Sequence, residues 1–531
     1  MHLIKAISIK DFYKVLVGKN LLIFSLLLLV LGLPLSPFLV GSSQFLLFFN
    51  WILEGNWSEK FQRFKSNRIL WLFLILPVIH VLWLFNTHNL DYAIHDIKIK
   101  LPLLLFPLVM GTSNALSKKE VELIFKFFLF AVFSGTVVTV AILTGIYNHP
   151  YNDIRETSIF ISHIRFGLMI VFSMVLTSYF ILKSYLNQQY WVSLGFFILN
   201  VWFLLFLVIL QSITSWIILF FLINFLFFFY YHQIKWRYLK TIGWSILGVI
   251  LILSLSLVGK VCYDFYFTSN PKFSELPTHS PRGNMYWNDT LSEIKENGHY
   301  VQVLVCYKEL STTWPKLSNI PYEGNDANDY PIWSTLVRYL ASKGLPKDYD
   351  GLMALDAEDI KMIEQGYASC VYRSRFIPYI KVYDLIWELD MYAKTGNANF
   401  KSVAQRMEYW KGAALIIKKN FLFGIGTGDL IQEYKVAYNQ LHSKLDVKNL
   451  LRAHNQFITF FVTFGFVGFL LAIVSMFLPG YYSANKNSFV LVAFLVIIFL
   501  SMLNEDTLET QAGVTFYILF YTLLVFSKNE N

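Results

Sequence analysis

Residues 190–231 read YWVSLGFFILNVWFLLFLVILQSITSWIILFFLINFLFFFYY, a run without a single Asp, Glu, Lys or Arg. A helix rises about 1.5 Å per residue, so roughly 20 mostly apolar residues cross a hydrocarbon core of about 30 Å. The run is long enough for two crossings, and its polar interruption at Gln211-Ser212 predicts spans at 190–210 and 213–231. Moved outward along the chain, the same ruler gives candidate spans near 15–33, 36–53, 69–87, 101–116, 123–147, 158–182, 238–258, 455–480, 488–504 and 508–527. The expected fold class is an all-α polytopic integral membrane protein with about 12 transmembrane helices. The first apolar run passes directly into the second, with no small-residue cleavage site between them, which predicts an uncleaved N-terminus.

Composition agrees. Of 531 residues, 56% are hydrophobic, 18% aromatic and only 15% charged, with a mean hydropathy of +0.49. A soluble domain carries about 25% charged residues. That difference excludes a soluble cytoplasmic enzyme and a disordered chain. Three cysteines, Cys262, Cys306 and Cys370, imply no disulfide framework, though Cys306 and Cys370 are either a pair or free thiols.

The net charge of +9 has a topological reading. With the N-terminus inside, the inner segments hold Lys5, Lys10, Lys14, Lys19, Lys60, Arg63, Lys65, Arg68, Lys118, Lys119, Lys126, Lys183, Lys235, Arg237, Lys240, Lys486 and Lys528, whereas the outer short loops hold Lys98, Lys100 and Arg155. Inner loops rich in Lys and Arg fix this orientation. The charge is a signature of topology, and no nucleic-acid partner is expected.

This topology puts the one long segment, between spans nine and ten, outside. The expected division is an N-terminal membrane domain over 1–258, a large, mainly helical extracytoplasmic loop domain over 259–453, and a C-terminal membrane domain over 454–531. Within the loop, Asp356-Ala-Glu-Asp359 predicts a helix start and Tyr300-Val-Gln-Val-Leu-Val-Cys-Tyr307 has strand-like content.

Candidate chemistry lies where costly polar groups meet the membrane. In Ser162-His163-Ile164-Arg165, Arg165 either faces a wet cavity or snorkels to the interface, and His163 is functional or structural. From Arg406 through Trp410, the chain predicts an amphipathic helix with Trp410, Ala414 and Ile417 on one face. It is followed by Gly424-Ile-Gly426-Thr-Gly428-Asp429, a tight turn or an anion cradle. Arg452-Ala-His454-Asn455 puts a histidine at the membrane surface, suited to general-base work near neutral pH. Glu505-Asp506 and Glu509 form an acidic hairpin that either holds the arginines or is a solvated turn. No His/Cys spacing suggests a metal site, and no cofactor is expected.

Together these residues resemble the O-antigen ligase family. The resemblance rests on Arg406-x-x-x-Trp410, on Asn420-Phe-Leu-Phe-Gly-Ile-Gly-Thr-Gly428, on His454-Asn455 with Gly465-x-x-Gly468, and on a large outer loop late in the chain. Ile161-Ser-His-Ile-Arg-Phe166 and Glu505-Asp-Thr-Leu-Glu-Thr-Gln-Ala-Gly513 resemble a Bacteroidota-type branch. Residues 265–400 are an insertion outside the general pattern, and their size and position suggest acceptor recognition. At Gln211-Ser-Ile213, where many relatives carry an arginine, this chain departs from the pattern.

The resemblance implies a metal-independent, inverting glycan transferase in the bacterial inner membrane. Its donor would be a polyprenyl-diphosphate-linked glycan, and its acceptor a lipid A-core hydroxyl on the periplasmic face. O-antigen polymerase and protein O-oligosaccharyltransferase activities use the same donor with another glycan or a protein as acceptor. It implies catalytic roles for His454 (base) and Arg406, diphosphate binding by Arg165, Arg406 and Arg452, and supporting roles for His163, Gly426, Gly428, Asp429, Glu505 and Asp506. The reading from another class is a transporter of a lipid-linked or amphipathic solute, which more often shows two similar halves.

Overall fold

The structure, a computed structural model, describes residues 17–151, 153–233, 237–399 and 402–528. Lys5, Lys10, Lys14 and Lys235 of the orientation argument lie outside the described residues. Among the described residues, six helical stretches are long and apolar enough to cross a membrane: Arg68–Asn86, Lys118–Leu143, His163–Leu186, Tyr190–Leu210, Lys240–Tyr266 and Gln456–Tyr482. Shorter apolar helices run over Lys19–Leu35, Pro37–Leu53, Ile213–Phe229, Phe489–Asn504 and Gln511–Phe526. The chain is a helical, multi-pass membrane protein.

It divides into two compact units. The first comprises 1–235, 409–442 and 450–531, and the second comprises 236–408 and 443–449. These limits differ from those expected at 258 and 453. The apolar helix Arg237–Tyr266 goes with the second unit, whereas the glycine-rich turn goes with the first.

The first unit is built around α1 (Gln511–Phe526). Every residue from 513 to 525 is buried, as expected of a helix that is apolar all round. Phe516 and Phe520 pack with Phe128, Phe172 and Phe494, with ring centroids 4.7 Å apart for Phe128–Phe520 and 5.1 Å for Phe172–Phe494. The expected fourth span is shorter than the ruler suggested. It is the eleven-residue helix α2 (Pro102–Thr112), about 16 Å long. The amphipathic helix α3 (Leu90–Lys100) precedes it and buries Asp96 and Lys100. The expected sixth span begins at His163, so Arg165 lies in the first turn of its helix and not at mid-span.

The second unit has its own core of Val305, Leu310, Trp314, Ile332, Leu336, Tyr339, Leu340, Leu352 and Ile363. Asp356 starts the helix Ala357–Glu364 as expected, through a reciprocal capping box with Asp359. The strand expected over 300–307 does not form. Among the described residues the only ladder is Lys295–Glu296 against His299–Tyr300, Val305 makes single bridges to Trp287 and Lys347, and Leu304 takes a left-handed backbone with φ 55°. Burial alternates there as in a strand, with Val301, Val303 and Val305 buried and Gln302 and Leu304 half-buried, but the left-handed turn at Leu304 keeps the segment from forming a ladder. Cys262, Cys306 and Cys370 are free thiols.

Candidate functional site

The site in the first unit starts from a broken helix. The helix α4 (Gln456–Tyr482) is interrupted at Gly465, which has φ 63° and ψ −169°. Breaking a helix at membrane depth frees backbone groups that lipid cannot satisfy. Here the glycine-rich turn satisfies them. Ile425 and Gly426 donate to the carbonyls of Val462 and Thr463 at 3.1 and 3.0 Å, and Phe466 and Val467 donate to those of Phe421 and Leu422 at 2.7 and 3.2 Å. A Cβ at Gly424 would collide with the Thr463 carbonyl oxygen, and one at Gly465 with the Gly424 nitrogen, so the backbones meet only because both are glycine.

The turn's other side holds the loop before α3. Asn86 Nδ2 donates to the Gly424 carbonyl at 2.8 Å and Trp83 Nε1 to the Phe423 carbonyl at 2.6 Å. Asp429 accepts from the backbone N–H groups of His88 at 2.9 Å and Asn89 at 2.8 Å. Burial would raise the Asp429 carboxyl, but these bonds outweigh it and hold the group below its usual range. The Gly426 N–H is spent on Thr463 and that of Gly428 points to Thr87 Oγ1 at 3.3 Å. Gly426, Gly428 and Asp429 thus form a docking seam, with their hydrogen bonds directed into the protein.

The helix α5 (Ser402–Lys419) buries Tyr409, Gly412, Ala413 and Ile416. The face of Trp410, Ala414 and Ile417 is the outward one, with Trp410 and Ala414 exposed and Ile417 half-exposed. Gly412 decides this, since a Cβ there would press on the ring of Tyr438. Trp410 instead anchors by its edge, with Nε1 donating to the Ala453 carbonyl at 3.0 Å.

That contact fixes Arg452-Ala-His454-Asn455 at the head of α4. Asn455 caps the helix, accepting from Phe457 and Ile458, and donates to the Leu503 carbonyl at 2.8 Å. His454 is forced left-handed, with φ 48°, a conformation uncommon outside glycine and concentrated at functional positions. Its Nδ1 lies 3.6 Å from Glu505 Oε2 and its ring 5.7 Å from that of Tyr409. Arg452 reaches Glu509 at 3.0 Å and Asp506 at 3.3 Å. Glu509 also accepts from Lys100 at 3.0 Å and Gln456 at 3.0 Å, and Lys100 pairs with Asp96.

Burial would raise the Glu509 carboxyl, but Lys100 and Arg452 outweigh it and hold it well below the usual range. Asp506 is pushed upward by burial, against Arg452. A small cavity of about 10 Å³ borders this chain, lined among others by His80, Asp96, Lys100, Thr463 and Glu509, room for one water.

Arg165 donates to Ser162 Oγ at 3.1 Å, and the charges of Glu505 and Arg452 reach it. His163 feels Arg155, Asp153 and Glu505. The first unit therefore brings together Arg452, His454, Glu505 and Asp506, with His163 and Arg165 within their field. Arg406 belongs to the second unit, half-buried on α5. Ile213 begins the helix Ile213–Phe229, and the neighbouring Ser212 and Ser215 are buried and hydrogen-bonded to each other at 2.8 Å. Sequence reading missed Asp96, Lys100 and Gln456. The spacing of Asp96 and Lys100 was the available signal: an i,i+4 acid–base pair directly before an apolar segment.

An arginine held by carboxylates beside an imidazole backed by a carboxylate can accept an anion and a proton at neighbouring points. A family model described as O-antigen ligase matches residues 360–473, a stretch that includes α5, the glycine turn, Arg452 to Asn455 and the break at Gly465. No curated protein matches the chain. Members of that family are glycosyltransferase-like enzymes of the O-antigen ligase and polymerase type, acting on lipid-linked glycan in membranes. Over this stretch, the chain is similar to the O-antigen ligase family.

Proposed function

We propose that the protein transfers a glycan from a polyprenyl-diphosphate carrier to an acceptor hydroxyl, with the lipid A-core as acceptor, at the periplasmic face of the bacterial inner membrane. The observation that carries the reading is His454, held left-handed next to Arg452 with Glu505 on its Nδ1 side. The acceptor oxygen attacks the anomeric carbon as its proton passes to His454 Nε2. The bond from that carbon to the phosphate oxygen breaks, and its electron pair leaves with the diphosphate. In-line displacement inverts the anomeric centre and needs no metal. Glu505 stabilises the imidazolium that forms, as a carboxylate does behind a catalytic histidine. The leaving group gains charge in the transition state, so arginine forks placed on it lower the barrier more than they strengthen ground-state binding. Arg452 and Arg165 are assigned that task.

Purified protein in liposomes with labelled lipid-linked glycan tests this. Covalent transfer should occur with wild type and fall about 100-fold or more in His454→Ala and in Arg452→Ala. Full transfer by His454→Ala removes the base. Movement of the lipid across the bilayer without product supports a transporter instead. Product chains linked to other glycans or to protein would reassign the acceptor.

A further inference from the structure

The second unit carries a group of aromatic side chains that its core does not need. Trp314, Tyr339 and Leu336 already fill that core at 0% exposure, yet Trp287, Tyr307 and Trp333 stand 44%, 39% and 40% exposed. They are neighbours in a row, with ring centroids 6.0 Å apart for Trp287–Tyr307 and 6.5 Å for Tyr307–Trp333. The rings are tilted by 50° and 71°, so they do not stack on one another.

Each residue is anchored through its backbone. Trp287 exchanges two backbone hydrogen bonds with Val305, at 2.8 and 3.1 Å. Tyr307 opens the helix Tyr307–Thr313, and Trp333 sits in the first turn of Ile332–Ser342. A rigid aromatic row loses little entropy on binding.

The surroundings state what such a row accepts. Residues 319–331, which lead into Trp333, contain Glu323, Asp326 and Asp329 and no Lys or Arg. Amphipathic surfaces that dock on anionic bilayers carry clusters of basic residues beside their aromatic ones, whereas here Lys308, exposed next to Tyr307, is the one basic residue adjoining the three rings in sequence. Carboxylates accept hydrogen bonds from hydroxyl groups, and Glu323 and Asp329 are exposed. Beneath Tyr307, within its field and that of Glu323, lies Tyr322. Its buried hydroxyl has no hydrogen-bond partner among the described residues. A ligand with apolar C–H faces and hydroxyl edges matches rings and carboxylates together.

We infer that Trp287, Tyr307 and Trp333 form a saccharide-binding platform for an uncharged or weakly charged glycan chain, with successive sugar rings lying on successive aromatic faces. The choice of a glycan rests on the proposed transfer reaction, and the platform would then read the sugar chain away from the reacting bond.

The test uses the full-length protein in detergent micelles and a panel of defined neutral hexasaccharides with gluco, manno and galacto backbones, none bearing a diphosphate. Saturable binding of at least one is expected by tryptophan fluorescence and saturation-transfer NMR, with contact strongest at pyranose C–H groups. Trp287→Ala and Trp333→Ala should each weaken it about 5- to 10-fold, with Trp→Phe restoring most of the loss. Because the rings are exposed, the melting temperature should hold, and a variant that fails to fold is replaced by Tyr307→Ala. His454→Ala should bind as wild type, so a failed transferase reading leaves this result standing. No saturable binding up to about 10 mM by any hexasaccharide overturns the platform, as does binding unchanged in Trp287→Ala/Trp333→Ala. Ring-dependent attachment to phosphatidylglycerol vesicles, or a ring-dependent dimer, overturns it in favour of a membrane or a second copy.

Discussion

Each unit buries a cluster of opposite charges, and the two clusters are finished differently. In the second unit Asp359 accepts from Tyr339 at 2.6 Å, Lys343 at 2.5 Å, Arg373 at 2.6 Å and its own helix cap at 3.1 Å, leaving the carboxylate saturated. In the first unit Asp96, Asp506 and Glu509 face Lys100 and Arg452. There Asp506 Oδ2 is met only by the ion pair with Arg452 at 3.3 Å and has no hydrogen bond among the described residues, and His454 stands 3.6 Å from Glu505, beyond hydrogen-bond length. A cluster that serves the fold satisfies every valence. The proposed transfer needs valences left open for a substrate, as at His454.

The sharpest way to break the comparison is Glu509→Ala. It leaves Lys100 and Arg452 buried with too little counter-charge, and removing one partner of such a pair costs about 3–5 kcal/mol. A large loss of melting temperature in detergent is expected; an unchanged one would show that the cluster is not a coupled network. Next in size is Gly465→Ala. A left-handed backbone and a Cβ pressed into the Gly424 backbone should cost about 2–4 kcal/mol. Hydrogen exchange should rise across both 421–429 and 460–467, since each satisfies the other. Exchange rising in one segment alone would mean that the seam is not shared.

Much of this seam was legible as residues but not as geometry. Gly424, Gly426, Gly465 and Gly468 stood out in the sequence, yet nothing local says that two glycine segments 41 positions apart meet backbone to backbone. Hydropathy found the apolar helices because burial in lipid demands length and composition. It overstated the segment at 101–116, where Pro102 restarts the helix and α3 approaches with charges that a window excludes. Periodicity put Trp410, Ala414 and Ile417 on one face without saying that it points outward, because it does not know that Gly412 must admit Tyr438. Arg452, His454, Glu505 and Asp506 were legible as costly groups near the membrane. Lys100 was visible only as one of the few basic residues on the expected outer side.

The smallest effect separates the two clusters by sign. Burial pushes Asp359 upward, but hydrogen bonds from Lys343 and Tyr339 outweigh it and hold the carboxyl at about 2, below its unfolded value. Its stabilisation is therefore complete above pH of about 4 and is lost as pH falls through about 2. Asp96 lies in the opposite case. Burial pushes it up to about 6 against the pull of Lys100, so the folded state resists its ionisation, and stability declines as pH rises from about 4 to about 6. Hydrogen exchange followed by peptide, from pH 2 to 7.5, should show protection around Asp359 rising through the acid range and protection around Asp96 falling through the middle. Asp96→Asn should flatten the second slope and leave the first, and Asp359→Asn the reverse. Parallel slopes in the two units would mean that both clusters are saturated alike, and would remove the open valences at Asp506 and His454 as a mark of chemistry.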